Sequence, residues 1–305
     1  LYDPQTGDWS PKVRAALCPN ARLPRCVWPG EQAGRITAQA AAETGLAEGT
    51  PVAAGICAAA AGAVAAGLQP GRLILQLDAS ARLLRLTRRI PAAFLGRPLP
   101  GLTPERVLCD VRICDAGALT AQLSPEETAR MWEEGRALPP GCDGLIVLPY
   151  LRGSGAPFND AEVSGMIYGL KLTHTYTQLY RAAMEGICYA LEQYLLQLGD
   201  DATVHRITVA GRGAENELLL QLISDVCAAQ VDGCVNNGPA FGAARLAAGA
   251  AGFGEAAARW CCTGRTYLPD LERHARYRPY FDAFRALYDA SYEVAQRDLS
   301  NYMYL

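Results

Sequence analysis

Between Val204 and Gly252 the chain gathers its densest set of residues suited to holding an anion. A β-rich run, Ile207 to Val209, breaks at Gly211-Arg212-Gly213, and a helical period follows with Leu219, Leu222, Ile223 and Val226 on one face. Strand, glycine turn and helix together aim backbone N–H groups and a positive helix end at a ligand such as phosphate. The same glycines also suit an ordinary tight turn, so this stretch alone leaves both readings open. A second helix is expected from about Ala240, kept narrow by Gly242, Ala243, Ala244, Ala247 and Ala248.

Other residues with chemical potential have structural explanations. Glu185 could serve as an acid or a metal ligand, but Arg181, four residues earlier on the same helical face, is a ready ion-pair partner. His174 stands where a cap or packing residue belongs, and His205 and His274 have no ligand-like neighbours. Asp160 and Glu162 read as a solvated loop pair. Ser154, in Gly153-Ser154-Gly155, lacks the strand–turn–helix setting of a nucleophile elbow. No metal-ligand spacing stands out.

Composition narrows the field. Half of the 305 residues are hydrophobic and 19% are charged, which is globular and leaves room for one large core or two ordinary ones. A net charge of −3 without a basic block argues against nucleic acid and anionic membrane as partners. The longest apolar runs are alanine-rich and interrupted by glycine, too short for a spanning helix. The 11 cysteines show no C-x-x-C, and Cys261-Cys262 are adjacent, so reduced thiols in a cytoplasmic protein are expected. The first residue is Leu, not Met, and the opening L-Y-D-P-Q-T-G reads like an entry in mid-domain.

Helices are expected over Pro11–Leu17 and Ala38–Thr44, and a thin one over 57–67 after a strand at 51–56. Pro70-Gly71 marks the best boundary. Strands at 72–77 and 82–87 flank Asp78-Ala79-Ser80. Residues 91–104 read as loop, 107–114 as strand, and 125–138 as a helix opened by Ser124 with Glu126 and Glu127 in its first turn. A buried strand over 144–149 precedes a stretch, 150–172, too glycine-rich for a regular element. The longest helix is expected over 174–198 and the last over 280–296. Strands alternating with helices give an α/β sheet with helical cover.

These residues resemble the FGGY carbohydrate kinases, which phosphorylate sugars and polyols with ATP. Leu145 to Gly169 is similar to that family's P-Y-x-x-G-x-x-x-P…G-x-x-x-G segment, and Arg181 to Ala190 to its R-A-x-x-E-G-x-x-Y/F helix. The turn at Gly211-Arg212-Gly213, with Asn216, resembles its G-G-G-A nucleotide turn, and Gly242-Ala243-Ala244 its G-A-A helix. Gly34 to Thr37 and Gly45 to Gly55 resemble the tail of its first domain. Pro149-Tyr150 and Gly169 to Thr175 are most similar to the pentulose kinases. The resemblance implies an actin-like, ribonuclease H-like ATPase fold, a mixed sheet covered by helices. It implies residues 1–69 as the tail of an amino-terminal domain and 70–305 as the carboxy-terminal, nucleotide-side domain. The amino-terminal D-x-G-T phosphate loop of the family has no counterpart here.

Three positions depart from the pattern. Where the family's Asp takes the sugar hydroxyl proton, this chain has Ala58; losing a positioned base costs roughly 10²–10⁴ in rate. Cys57 is adjacent but has no visible activator, and packing is its simpler role. Where the family has G-T-S facing the phosphates, this chain has Asp78-Ala79-Ser80. A carboxylate about 4 Å from a phosphate costs on the order of 4 kcal/mol per charge pair at surface-like dielectric, unless Mg²⁺ lies between them or Asp78 turns to solvent. Arg212 replaces a family glycine, opposing a left-handed backbone while offering a phosphate-gripping side chain.

The resemblance therefore implies an ATP- and Mg²⁺-dependent kinase of a ketopentose or polyol, inactive as this chain alone. The rival expectation is a catalytically silent relative that binds a nucleotide or a partner. A homodimer is the assembly such a chain could form.

Overall fold

The computed structural model describes residues 2–91, 94–117, 124–198, 206–235, 238–260 and 264–295. The chain begins with β1 (Tyr2–Asp3), β2 (Asp8–Trp9), α1 (Pro11–Leu17), β3 (Gln32–Arg35), α2 (Ala38–Thr44), β4 (Pro51–Ala53) and α3 (Ala58–Ala65). It continues through β5 (Leu73–Leu77), β6 (Ser80–Thr87), β7 (Arg97–Pro100), β8 (Val107–Asp115), α4 (Pro125–Arg136), β9 (Ile146–Leu148), β10 (Met166–Tyr168) and α5 (Tyr176–Gln197). The remainder is β11 (Arg206–Ala210), α6 (Glu217–Cys227), β12 (Gln230–Gly233), α7 (Pro239–Ala250), α8 (Gly254–Ala258), β13 (Thr266–Tyr267) and α9 (Leu271–Ala295). Seven strands form one sheet in the order β13-β12-β11-β5-β6-β8-β7. It is mixed: β11 and β12 run parallel, whereas β12–β13 and β7–β8 are antiparallel.

Contacts divide the chain into two compact units. The first holds Leu1–Ile74, Leu84–Asp110 and Asn236–Cys262; the second holds Leu75–Leu83, Val111–Val235 and Thr263–Leu305.

In the first unit, α1 and α2 form where Ser10 and Thr37 supply side-chain oxygens to Val13 and Ala40 N–H. Helix α3 is nearly all Ala and Gly, with residues 60–65 buried, and it packs against α7. A methyl on Gly242 would collide with the Ala61 carbonyl, so α7 needs glycine there for the two backbones to approach. Arg245 then donates from Nη1 to the Val64 and Ala65 carbonyls at 2.7 and 3.3 Å, closing the last turn of α3. The expected loop over 91–104 contains β7. Pro98 and Pro100 are tolerated because β7 lies at the sheet edge, with β8 its single neighbour.

In the second unit, α4 starts with a capping box between Ser124 and Glu127. Helix α5 is capped by Thr175 and buries almost one entire length, including Arg181 and Glu185. The glycine-rich stretch after Tyr150 is not wholly irregular, for β10 pairs antiparallel with β9. Helix α9 also begins nine residues before the expected start, with Pro279 inside it. An interior proline costs about 3 kcal/mol. Burial of Tyr277, Phe281, Phe284 and Tyr288 against Tyr150 and Tyr189 offsets that cost.

Candidate functional site

In the second unit, β5 and β11 are neighbours in the sheet, so the turns that follow them meet. The Arg212 backbone N–H donates to Asp78 Oδ1 at 3.1 Å. The Asp78 carboxylate thus accepts from the glycine turn and does not simply point to solvent. The left-handed backbone falls on Gly211, with φ 85°, and a methyl there would come within 2.9 Å of the Asp78 carboxyl. Arg212 is not among the positive-φ residues, so the expected backbone strain at that position is absent. A methyl on Gly213 would strike the Leu77 side chain. Both glycines therefore serve the close approach of the two turns.

The end of β8 buttresses the same turn. Ala116 and Gly117 N–H both donate to the Ala79 carbonyl at 3.2 Å. A methyl on Gly117 would run into the Asp78 backbone. Asn216 caps α6, accepting from Leu219 N–H at 3.0 Å, and its Nδ2 donates to Tyr180 Oη at 3.3 Å. Trp132 Nε1 also donates to Tyr180 Oη, at 2.8 Å. Burial raises the Tyr180 pKa, and donation from Trp132 and Asn216 only partly opposes it, so the phenol stays protonated.

These groups border a cavity of about 410 Å³ lined by Asp78, Gly117, Trp132, Tyr180, Arg212 and Asn216 among others. Backbone amides and charged side chains stand on one side; Trp132, Met184 and Leu219 supply an apolar floor. That is the makeup of a small-molecule site with an anionic end and a flat apolar end.

Beside the β5–β6 turn lies a charged cluster. The Asp115 side chain is fully buried, and Arg152 reaches its Oδ1 with Nε at 3.1 Å and Nη2 at 2.6 Å. Arg112 Nη2 reaches Oδ2 at 3.1 Å. The hydrogen bond to Asp115, then its charge, hold the Arg152 guanidinium pKa above its ordinary value.

Of the sequence-predicted residues, Asp78, Ala79, Ser80, Gly211, Arg212, Gly213 and Asn216 come together in this unit. Ala58, Gly242 and Ala243 belong to the other. Ala58 is the exposed first residue of α3, Cys57 is its exposed N-cap, Gly242 packs on α3, and Ala243 is exposed. The sequence reading missed Asp115, Ala116 and Gly117 at the end of β8, Trp132 and Tyr180 on the floor, and Arg152. The available signal was a buried strand running into Asp115-Ala116-Gly117, small residues that let a neighbouring turn close in.

The remaining candidates are structural. Arg181 Nε pairs with Glu185 Oε1 at 3.0 Å, both side chains being essentially inaccessible. Ser154 is buried against Tyr288, and one oxygen of Asp160 is buried without a partner, so Asp160 is not the solvated carboxylate expected. His174 Nδ1 accepts from Lys171 N–H, and His274 sits against the Asp225 and Val226 carbonyls. His205, Cys261 and Cys262 lie outside the described residues. Among the described residues no cluster of His, Cys, Asp and Glu is placed to hold a metal ion. None of their helices is long and apolar enough to cross a membrane.

Residues 103–251 match the FGGY family of carbohydrate kinases, C-terminal domain. The xylulose kinase of Escherichia coli (strain K12) is 30% identical over 92% of the chain. The chain belongs to the FGGY family of carbohydrate kinases. This FGGY chain is also 29% identical to the xylulose kinase of Bacillus subtilis (strain 168) over 84% of its length. It spans 61% and 54% of those two relatives. The crystal structure of xylulose kinase from Rhodospirillum rubrum superposes with a TM-score of 0.81 at 25% identity, over 95% of the FGGY chain and 62% of that structure. Its architecture is the actin-like ATPase fold of the sugar kinases, as the mixed sheet with helical cover requires.

Proposed function

We propose that this chain is the nucleotide-carrying part of an ATP-dependent carbohydrate kinase acting on a ketopentose or related polyol. In this reading residues 70–305 are the carboxy-terminal domain and 1–69 the tail of an amino-terminal one. The observation that carries it is the cavity with Arg212, Gly213, Asp78 and Gly117 at its polar side and Trp132, Tyr180 and Met184 at its apolar side. A flat base suits the apolar floor, and phosphates suit the backbone turns. The relatives named as xylulose kinases support the sugar class.

The bound nucleotide supplies the phosphoryl group, and Mg²⁺ carried with it would neutralise phosphate charge. Asp78 is the carboxylate at the turn able to face such a cation. The rest falls to the chain's own groups. Tyr180 and Asn216 lock the floor by their mutual hydrogen bond, and the Gly117 and Gly211 backbones fix the two turns. With Ala58 at the base position, no side chain there can take a hydroxyl proton.

That substitution supports a second reading, a nucleotide- or partner-binding relative without turnover. Calorimetric titration with ATP, with and without Mg²⁺, tests the shared claim; no heat at millimolar nucleotide removes it. ADP release over a panel of ketoses separates the readings. Turnover above background contradicts the role given to Ala58, and Ala58→Asp in this chain should not create it.

A further inference from the structure

We propose that a second cavity, on the other flank of α6 from the one described above, binds a small organic carboxylate with an apolar body. This site does not depend on the nucleotide reading.

The second cavity also measures about 410 Å³ and lies wholly within the second unit. Glu217, Leu218 and Leu222 of α6 face it, whereas Asn216 and Leu219 face the other one. Three guanidiniums border it, each from a different element. Arg136 ends α4, Arg265 precedes β13, and Arg273 lies in the first turn of α9. Two of them converge on one oxygen: Arg136 Nη2 and Arg265 Nη1 donate to Glu217 Oε2 at 2.8 and 2.9 Å. Among the described residues that line the cavity, Glu217 alone is acidic. Arg273 Nε stands 3.5 Å from Asp225 Oδ2, and the Asp225 side chain has no solvent exposure.

Glu217 and Asp225 thus offset two of the three guanidiniums, and one positive charge is left over. Glu133 lies 3.8 Å from Arg136 Nε, but its side chain is 74% exposed, so water screens it and it adds little. The ligand's chemistry follows from that surplus and from the wall. One carboxylate matches one surplus charge, and its two oxygens fit the fork of a guanidinium. A phosphate dianion would overshoot the balance. Leu218, Leu222 and Tyr267, all buried, form the apolar part of the lining and suit a hydrocarbon or aromatic body. Gln221 Nε2 is committed elsewhere, donating to Asp225 Oδ1 at 2.7 Å and to the Leu268 carbonyl at 3.1 Å. Recognition of the ligand's polar end therefore falls to the arginines, which favour an anion over a neutral amide.

The test is calorimetric titration of the whole chain at low ionic strength with hydrocinnamate, its neutral amide and inorganic phosphate. The acid should bind about tenfold or more tightly than the amide, as for charge-assisted hydrogen bonds, and more tightly than phosphate. Arg265→Gln should weaken the acid about three- to tenfold. Glu217→Gln, which releases both guanidiniums from their shared carboxylate, should tighten it by a similar factor. Opposite signs from two exposed side chains separate a binding site from a general loss of structure, and circular dichroism checks that both variants are folded. A second measurement needs neither variant: in wild type, the phenyl protons should show NOEs to the Leu222 methyls, identified by Leu222→Ile. No heat with the acid at millimolar concentration, equal affinity for acid and amide, or tighter binding of phosphate overturns the proposal. So do changes of the same sign in the two folded variants, or phenyl NOEs that miss Leu222. Because none of these ligands is a nucleotide, failure here leaves the reading of the other cavity untouched, and failure of ATP to bind leaves this one.

Discussion

Replacing Asp78 by Ser isolates the oddest feature of the glycine turn. The carboxylate takes the Arg212 N–H at 3.1 Å, so a phosphate arriving at that N–H must come within van der Waals reach of it. At about 4 Å and an effective dielectric of 20, one charge pair costs roughly 4 kcal/mol. Asp78 is exposed, and screening cuts such surface terms to about 1–2 kcal/mol, or roughly 5- to 30-fold in affinity. Serine keeps an acceptor for Arg212 and removes the charge. Asp78→Ser should therefore bind ATP in EDTA more tightly by about tenfold, with the gain shrinking as Mg²⁺ is added. Calorimetry at fixed ionic strength measures both. Weaker or unchanged metal-free binding in a folded Asp78→Ser protein would show that the carboxylate does not oppose phosphate, and the electrostatic reasoning would be wrong.

Three further predictions concern the framework. Arg181→Met leaves Glu185 buried without its ion-pair partner, and should cost about 3–5 kcal/mol in urea unfolding, whereas Arg181→Met/Glu185→Leu should recover most of that loss; additive losses would contradict the pairing. Burial pushes the Glu185 pKa from the ordinary 4.5 up to about 7, against the pull of Arg181, so its folded value lies above its unfolded one. The stability it confers is then full below 4.5 and lost as pH rises through 7, and a pH series of urea midpoints should flatten in Glu185→Gln. Gly242→Ala should lower the melting temperature: helix propensity alone favours alanine by about 1 kcal/mol, but its methyl meets the Ala61 carbonyl. A rise in melting temperature would mean that α3 and α7 can part at no cost.

Local patterns carried far in this chain. Ser10, Thr37, Ser124 and Thr175 each cap the helix that follows, because capping uses only residues three apart. The Arg181–Glu185 pair was visible for the same reason, one helical turn separating the partners. What failed were inferences from proline and glycine as universal breakers. Pro98 and Pro100 sit in β7, Pro279 sits inside α9, and the glycine-rich stretch contains β10. Each is permitted by a neighbour: a free sheet edge, an aromatic core, or strand β9.

The sequence by itself determined the family, most of the helices, the cap at Ser124, and the three departures at Ala58, Asp78 and Arg212, since all depend on residue type and short spacing. Only the tertiary structure decided what Asp78 and Arg212 touch. Asp78 and Arg212 are 134 positions apart, and their hydrogen bond exists because β5 and β11 became neighbours in the sheet. The grip of Asp115 on Arg152 likewise joins residues 37 positions apart. Nothing local announces such contacts, because the sheet order that creates them minimises exposed apolar surface over the whole chain.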